Sequence, residues 1–309
     1  MRYISKNLLL GILMLLSAGL YAQEEKLSKA QQIYRSKVPG SLEEARQIID
    51  SVIVNPQTRK DFVAWTTRAF IYFDLYKTTD KTKLNSGLRD TIINSLIISN
   101  SLQPDSGYLV QNNKLLVNLA KNYFNLSRTL LQDSINEERS SVAYGRYKSL
   151  NRLMDPKMDF TADDVKYYLA VGSQYSAMFI KDNNDVKAQE IGKVALLKVL
   201  EIQPDNPTAN INMGLMYYNQ AVNLSKSLDY GADFSQIDIV QENMVKLAKQ
   251  AEQFIYKVYT NDNGNLKAVE ALYYIYRMLN ENAKSDDFKK KGEVLGIKFS
   301  SEPSNEKEK

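Results

Sequence analysis

The sequence predicts an all-α protein, an α-solenoid or superhelix built from about five to six antiparallel helical hairpins. It contains 13 glycines and 7 prolines in 309 residues, below the average usage of about 7% and 5%. Because these residues break helices, their scarcity predicts long helices with short connections. Apolar residues recur at helical spacing through most of the chain, and prolines recur at a nearly constant interval, which is typical of a repeat protein.

The repeat is marked by Pro56, Pro104, Pro156 and Pro204, which are separated by 48, 52 and 48 residues. Each of these prolines follows one apolar helical stretch and precedes another. Proline has no backbone N–H and cannot continue a helix. The spacing therefore predicts a unit of roughly 50 residues that contains two helices.

The clearest pair of successive helices surrounds Pro204. The stretch before this proline has one apolar helical face, formed by Ile191, Ala195, Val199 and Ile202. Pro204 ends that helix. Asn206 and Pro207 then supply an N-cap and a proline for the first helical position, so a second helix is predicted to begin there.

The end of one repeat and the start of the next, on either side of Pro204, resemble the tetratricopeptide repeat (TPR) family in their pattern of bulky and small residues. The matching residues are Gly192, Leu196, Val199 and Ile202, followed by Met213, Gly214 and Tyr217. A small residue lets two helix backbones approach closely, and bulky residues fill the space beside it. The resemblance covers most of residues 27–298 and is most specific over 165–220. It implies a superhelix of hairpins with a concave face for protein partners.

The chain departs from the family in the length of its unit, since the TPR unit has 34 residues. The extra residues are predicted between the two helices of a pair, at about Thr78–Ser86, Lys181–Asp185 and Ser227–Gln236. An α-solenoid outside the family therefore stays open as an alternative. Helix starts are predicted at a capping box of Ser41 and Glu44, and at Thr161 and Ser285.

The first 22 residues are typical of a secretory signal peptide. Arg2 and Lys6 precede nine apolar residues, and Ala22 ends a stretch of small residues that favours cleavage after it. The apolar run is shorter than the roughly 20 residues that a membrane anchor needs, and the absence of cysteine excludes a lipoprotein anchor. We expect a repeat domain over 23–298, a disordered polar tail over 299–309 and a periplasmic location, with no membrane-spanning segment in the mature chain and peripheral envelope association left open.

Composition excludes much catalytic chemistry. The chain has no cysteine and no histidine, which rules out thiol nucleophiles, histidine-based triads and Cys/His zinc sites. Acidic doublets at 43–44, 137–138, 163–164 and 286–287 fall at predicted helix N-termini, where carboxylates complement the helix dipole. We expect no enzymatic activity, cofactor or metal. Without Arg2 and Lys6 the net charge falls from +4 to +2, so nucleic-acid binding has little support.

The resemblance also implies which side chains line a protein-binding groove, namely residues on one face of the first helix of each hairpin. They are Phe70, Phe73, Asp74, Lys114, Lys121, Phe124, Asn125, Lys166, Thr208, Leu215, Tyr218 and Asn219. Aromatic anchors beside asparagine and lysine suit protein recognition. The alternative for each is that it packs against a neighbouring repeat.

The sequence thus favours an exported scaffold or adaptor that binds protein or peptide partners of unknown identity. A second hypothesis is a binder of glycans or other small molecules, in which Trp65, Tyr72, Tyr217 and Tyr218 stack on sugar rings. A third is an enzyme that uses carboxylates alone, and no motif favours it.

Overall fold

The computed structural model describes residues 24–133, 136–227, 231 and 233–299. The predicted signal peptide and residues 300–309 of the predicted tail lie outside the described residues. Phe299, the first residue of that tail, packs on Tyr273 with ring centroids 4.5 Å apart. The regular secondary structure of the described residues is entirely helical, which confirms the predicted fold class.

The helices follow one another as antiparallel hairpins. The first helices are α1 (24–36), α3 (Phe62–Thr79), α5 (Ser106–Asp133), α7 (Thr161–Lys181), α9 (Pro207–Lys226) and α11 (Leu266–Met278). The second helices are α2 (Ser41–Val54), α4 (Gly87–Ser101), α6 (Glu137–Met154), α8 (Val186–Ile202), α10 (Phe234–Asn261) and α12 (Asn282–Val294). Pro56, Pro104, Pro156 and Pro204 lie just after α2, α4, α6 and α8, so the repeated proline separates one hairpin from the next.

The chain divides into two compact units. Unit 1 contains the first three hairpins and ends at Met158, except that residues 130–137 belong to unit 2. Its first helices are joined by side-chain hydrogen bonds: Gln31 Nε2 donates to Thr67 at 3.0 Å, and Tyr76 donates its hydroxyl to Asn122 Oδ1 at 2.7 Å. Beneath these bonds lies an apolar cluster of Leu27, Ala30, Ala45, Ile49, Val52, Ala64 and Ile71.

Unit 2 contains the other three hairpins, and its first helices α7, α9 and α11 contact one another in order. Helix α9 also packs on α8 and α10. The buried cluster of this unit joins α9, α10, α11 and α12 through Ile211, Ile255, Val258, Leu272, Ile275, Tyr276 and Phe288, among others.

Two glycines mark places where helices of unit 2 come close together. A Cβ built on Gly192 would lie 3.3 Å from the backbone nitrogen of Ser176 on α7. A Cβ on Gly214 would lie 2.5 Å from Ile255 Cγ1 on α10. Both glycines were predicted as small residues at helix crossings, and the structure confirms this.

The predicted helix starts were only partly correct. Asn206 caps α9 as expected, because its Oδ1 accepts the N–H of Ala209 at 3.0 Å. Ser41, however, is the first residue of α2, and the N-cap is Gly40, which forms no side-chain capping bond. Thr161 likewise lies inside α7 and bonds to Asp159. Ser285 lies inside α12 and donates to the carbonyl of Tyr273. The hydroxyls of Thr161 and Ser285 pair elsewhere and so do not cap, and sequence alone does not show which partner a hydroxyl will take.

One of the four acidic doublets does not lie at a helix N-terminus as predicted. Those at 43–44 and 163–164 lie in the first turns of α2 and α7, and Glu137 begins α6. Asp286 and Asp287 fall in the second turn of α12, where the effect of the helix dipole is weaker.

Candidate functional site

A depression opens on the face of unit 1 where the three first helices lie side by side. Its volume is about 310 Å³. The lining residues come from α1, α3 and α5 and are Gln31, Tyr34, Arg35, Thr66, Thr67, Phe70, Tyr108 and Gln111. We call it the aromatic depression, because Tyr34, Phe70 and Tyr108 supply its rings. No carboxylate is among these described lining residues.

The floor of the aromatic depression is held by a buried polar network. Thr66 Oγ1 lies 2.9 Å from Ser99 Oγ and donates to Asn112 Oδ1 at 3.0 Å. Asn112, which is fully buried, donates in turn to Ser99 Oγ and to Asn100 Oδ1 at 3.0 and 2.8 Å. Because every member has a partner, the network fixes α3, α4 and α5 relative to one another.

The walls of the aromatic depression contain polar groups that are free to bond to a ligand. The Tyr108 ring packs edge-on against Phe62, with centroids 5.4 Å apart. Its hydroxyl, the Arg35 guanidinium and the Gln111 amide make no hydrogen bond or ion pair within the described part of the chain. These groups offer donors at the rim and aromatic surface inside, an arrangement suited to peptide recognition.

A second depression of about 340 Å³ shares Tyr34 with the first. Its described lining residues are Tyr34, Lys37, Val38, Ser41, Leu42, Asp74, Lys77 and Thr78. We call it the lysine depression. Asp74 accepts hydrogen bonds from the Tyr34 hydroxyl at 2.8 Å and from Lys37 at 3.2 Å, and pairs with Lys77 at 2.6 Å.

These contacts shift the acidity of both partners. Burial by itself would raise the pKa of Asp74, but the hydrogen bonds from Lys77, Tyr34 and Lys37 outweigh it and hold the pKa below its usual value. Burial and the hydrogen bond to the carboxylate raise the pKa of Tyr34. At neutral pH the Asp74 carboxylate is therefore ionised and already satisfied by three donors.

Because the pKa of Asp74 is lowered in the folded protein, its contribution to the free energy of unfolding should depend on pH. Its pKa is depressed on folding, so its stabilising effect is present above the unfolded value of about 3.9 and is lost as pH falls through the folded value. We expect the difference in unfolding free energy between wild type and Asp74→Asn to shrink as pH falls from about 6 to about 2. Denaturant titrations across this range measure it.

The control for this titration is Glu44→Gln, which removes an exposed carboxylate that forms no ion pair within the described residues. At neutral pH the Glu44→Gln difference should be smaller than the Asp74→Asn difference. An Asp74→Asn difference that stays constant across the range would contradict a stabilising role for the ionised Asp74 carboxylate and its three donors.

The structure distributes the predicted groove residues of unit 1 over several environments. Phe70 lines the aromatic depression, and Asp74 lines the lysine depression. Phe73 stacks on Tyr76, and Phe124 packs against Tyr144 and Tyr147. The remaining three residues, Lys114, Lys121 and Asn125, are exposed on α5.

In unit 2 the predicted residues are divided in the same way. Lys166 and Thr208 are exposed, and Lys166 lies 3.6 Å from Asp163. Leu215 and Tyr218 pack against the buried cluster of this unit, and burial raises the pKa of Tyr218. Asn219 donates to the carbonyl of Leu215 at 2.8 Å. Their role in binding stays a prediction.

Sequence reasoning missed the contribution of α1 to the two depressions. Gln31, Tyr34 and Arg35 lie on a helix that was not aligned with the repeat, because no proline precedes it at the repeat interval. A usable signal was present, however. Pro56 closes a unit, so counting one unit back from it implies a complete hairpin whose first helix contains these residues.

The aromatic rings proposed for glycan stacking have partners within the fold. Tyr72 is buried and donates its hydroxyl to Asp50 at 2.7 Å. Tyr217 stacks on Phe254 with centroids 5.8 Å apart. Trp65 donates its indole N–H to the carbonyl of Arg59. These contacts do not support the glycan hypothesis.

In the described ranges, no group of three or more acidic side chains is placed to hold a metal ion. None of the helices that the structure describes is long and apolar enough to cross a bilayer.

No protein-family model and no curated protein matches the chain. Among solved structures, it is similar to PilW, described as a widely conserved type IV pilus biogenesis factor. That match has 14% sequence identity and a TM-score of 0.30, and covers 89% of this chain and 99% of that chain. Similarity at this level does not assign the chain to a family.

Proposed function

We propose that this chain is an exported, non-enzymatic adaptor of TPR-like architecture that binds extended segments of protein partners on its first-helix faces. The observation that carries the proposal is the aromatic depression, in which three successive first helices present aromatic walls beside unpaired hydrogen-bonding groups. Extended peptides need apolar pockets for side chains and polar groups for their backbone.

The proposed setting is the bacterial periplasm or cell envelope. It is supported by the signal-like sequence at residues 1–22, with cleavage proposed after Ala22. The absence of cysteine suits a chain that is stabilised by burial of apolar surface in its hairpins rather than by disulfides. Peripheral contact with envelope proteins would follow from partner binding.

The test is affinity capture from the native envelope fraction with the immobilised chain, comparing wild type with Phe70→Ala. Aromatic anchors dominate such interfaces. We therefore expect the specific partners to fall by about tenfold or more in Phe70→Ala when quantified by mass spectrometry.

The matched control is Ile97→Ala on α4, where Ile97 is 40% exposed and lines neither depression. It should retain the partners. Circular dichroism and thermal unfolding must show that both variants are folded. Equal recovery of every partner with Phe70→Ala would refute binding at this depression.

A further inference from the structure

The two depressions of unit 1 form one track along α3. Thr66, Phe70, Asp74 and Thr78 are spaced four residues apart and so lie along one face of this helix. Twelve residues of helix rise by about 18 Å. This length holds about five residues of extended chain at roughly 3.3 Å each.

Tyr34 makes the track continuous, because its side chain lines both depressions. Its hydroxyl is fixed by Asp74 at 2.8 Å, so the ring is held in place between the two. Helix α1 and the two residues that follow it supply the opposite wall, and the exposed Val38 extends the apolar surface at one end. One extended ligand can therefore occupy both the aromatic depression and the lysine depression.

The described residues that line the track carry a net positive charge. They include three cationic side chains, Arg35, Lys37 and Lys77, but only one carboxylate, Asp74. That carboxylate is already occupied by three donors. The Arg35 guanidinium has no partner in the described part of the chain, and arginine binds carboxylates through two parallel hydrogen bonds. Negative charge on a ligand would be complementary here, and positive charge would be repelled.

We propose that the partner segment is an acidic peptide with an aromatic residue. The aromatic side chain enters beside Phe70 and Tyr108, and a carboxylate one or two residues away pairs with Arg35. Gln31 and Gln111 are placed to bond to its backbone. This inference rests on the proposed function and names the chemistry of the partner.

The experiment measures the binding of short fluorescein-labelled peptides to the full chain by fluorescence anisotropy. One probe alternates glutamate and glycine around a central phenylalanine. A second replaces the glutamates by lysine, and a third replaces the phenylalanine by alanine. We expect the acidic aromatic probe to bind at least about tenfold more tightly than either of the others, with an affinity that falls as salt rises.

Substitutions in the chain test whether the acidic probe binds at the aromatic depression. Arg35→Glu should weaken the acidic probe by about tenfold and narrow its advantage over the basic probe. Arg59→Glu makes the same change of charge at an exposed arginine that lines neither depression, and should change the affinity by less than about twofold. Phe70→Ala should weaken the acidic probe as well.

The outcomes separate the two proposals. Tighter binding of the basic probe that still depends on Phe70 would overturn the acidic specificity and leave the groove in place. Binding of the acidic probe that is unchanged in both Phe70→Ala and Arg35→Glu would overturn both. Failure of all three probes to bind, or binding of the chain to anionic phosphatidylglycerol vesicles alone, would also overturn the acidic-peptide proposal.

Discussion

Replacing Gly214 by leucine is expected to destabilise the protein by about 3 kcal/mol or more. Gly214 lies in α9 where this helix crosses α10, and a Cβ there would lie 2.5 Å from Ile255 Cγ1 and 3.1 Å from the carbonyl oxygen of Ala251. Ile255 and Ala251 are fully buried. The added side chain can therefore be accommodated only by moving the two backbones apart.

The matched control is Gly145→Leu in α6. Gly145 is exposed, and a Cβ there would meet nothing within 4 Å. Leucine favours the helix over glycine by up to about 1 kcal/mol, so this variant should be as stable as wild type or slightly more stable. Denaturant unfolding followed by circular dichroism compares the two variants. Equal stability of Gly214→Leu and wild type would show that α9 and α10 tolerate a wider separation.

Gly214 illustrates which features of the fold could be predicted from the sequence. Gly214 is followed three residues later by the bulky Tyr217, within a helical period that begins at a strong cap, Asn206. Local patterns of this kind depend on residues that are close together in the chain. The all-helical fold of paired helices, with prolines at the repeat interval between helices, was therefore predicted correctly. The predicted caps at Thr161 and Ser285 were wrong because their hydroxyls bond to other partners, and the cap at Ser41 was wrong because α2 begins one residue earlier than a Ser41 cap requires.

The candidate site was less predictable, because it depends on contacts between hairpins. Phe70 and Asp74 were identified from their positions on α3, but the same rule also selected Phe124, which packs on Tyr144 and Tyr147. Whether a residue on such a face is free or covered depends on the size of the side chains opposite it. The proposed role of Arg35 could not be inferred either, since it depends on which side chains of other helices lie within reach of its guanidinium.

Arg89 is a fully buried charged residue of unit 1. It lies on α4, in line with the buried Ile92 and Leu96. Its guanidinium donates to the Tyr76 hydroxyl at 2.7 Å, to Asn122 Oδ1 at 3.0 Å and to the carbonyls of residues 83 and 84 at 3.0 and 3.2 Å. It also lies over the Tyr123 ring, 4.2 Å from the centroid. One side chain thus joins α3, α4, α5 and the loop over 80–86.

Replacing Arg89 by methionine, which keeps much of the apolar volume, should destabilise the protein by about 3 kcal/mol or more. The substitution removes the hydrogen bonds of a buried guanidinium to Tyr76, to Asn122 and to the carbonyls of residues 83 and 84. A hydrogen bond that involves a charged group contributes about 1.5–3 kcal/mol. The loss should be visible in denaturant unfolding. The loop over 80–86 should also open more often, so trypsin should cleave faster after Lys81 and Lys83, which are both exposed.

Arg146→Met provides the comparison, because Arg146 binds the same loop from outside. It donates to the carbonyl of Leu84 at 2.6 Å and to Asn85 Oδ1 at 2.9 Å, and it is only partly buried. Its removal leaves the Leu84 carbonyl paired with Arg89, so we expect a loss of at most about 1 kcal/mol. If Arg146→Met destabilised the protein as much as Arg89→Met, burial of the guanidinium would not be the source of the effect, and the loop contacts alone would explain it.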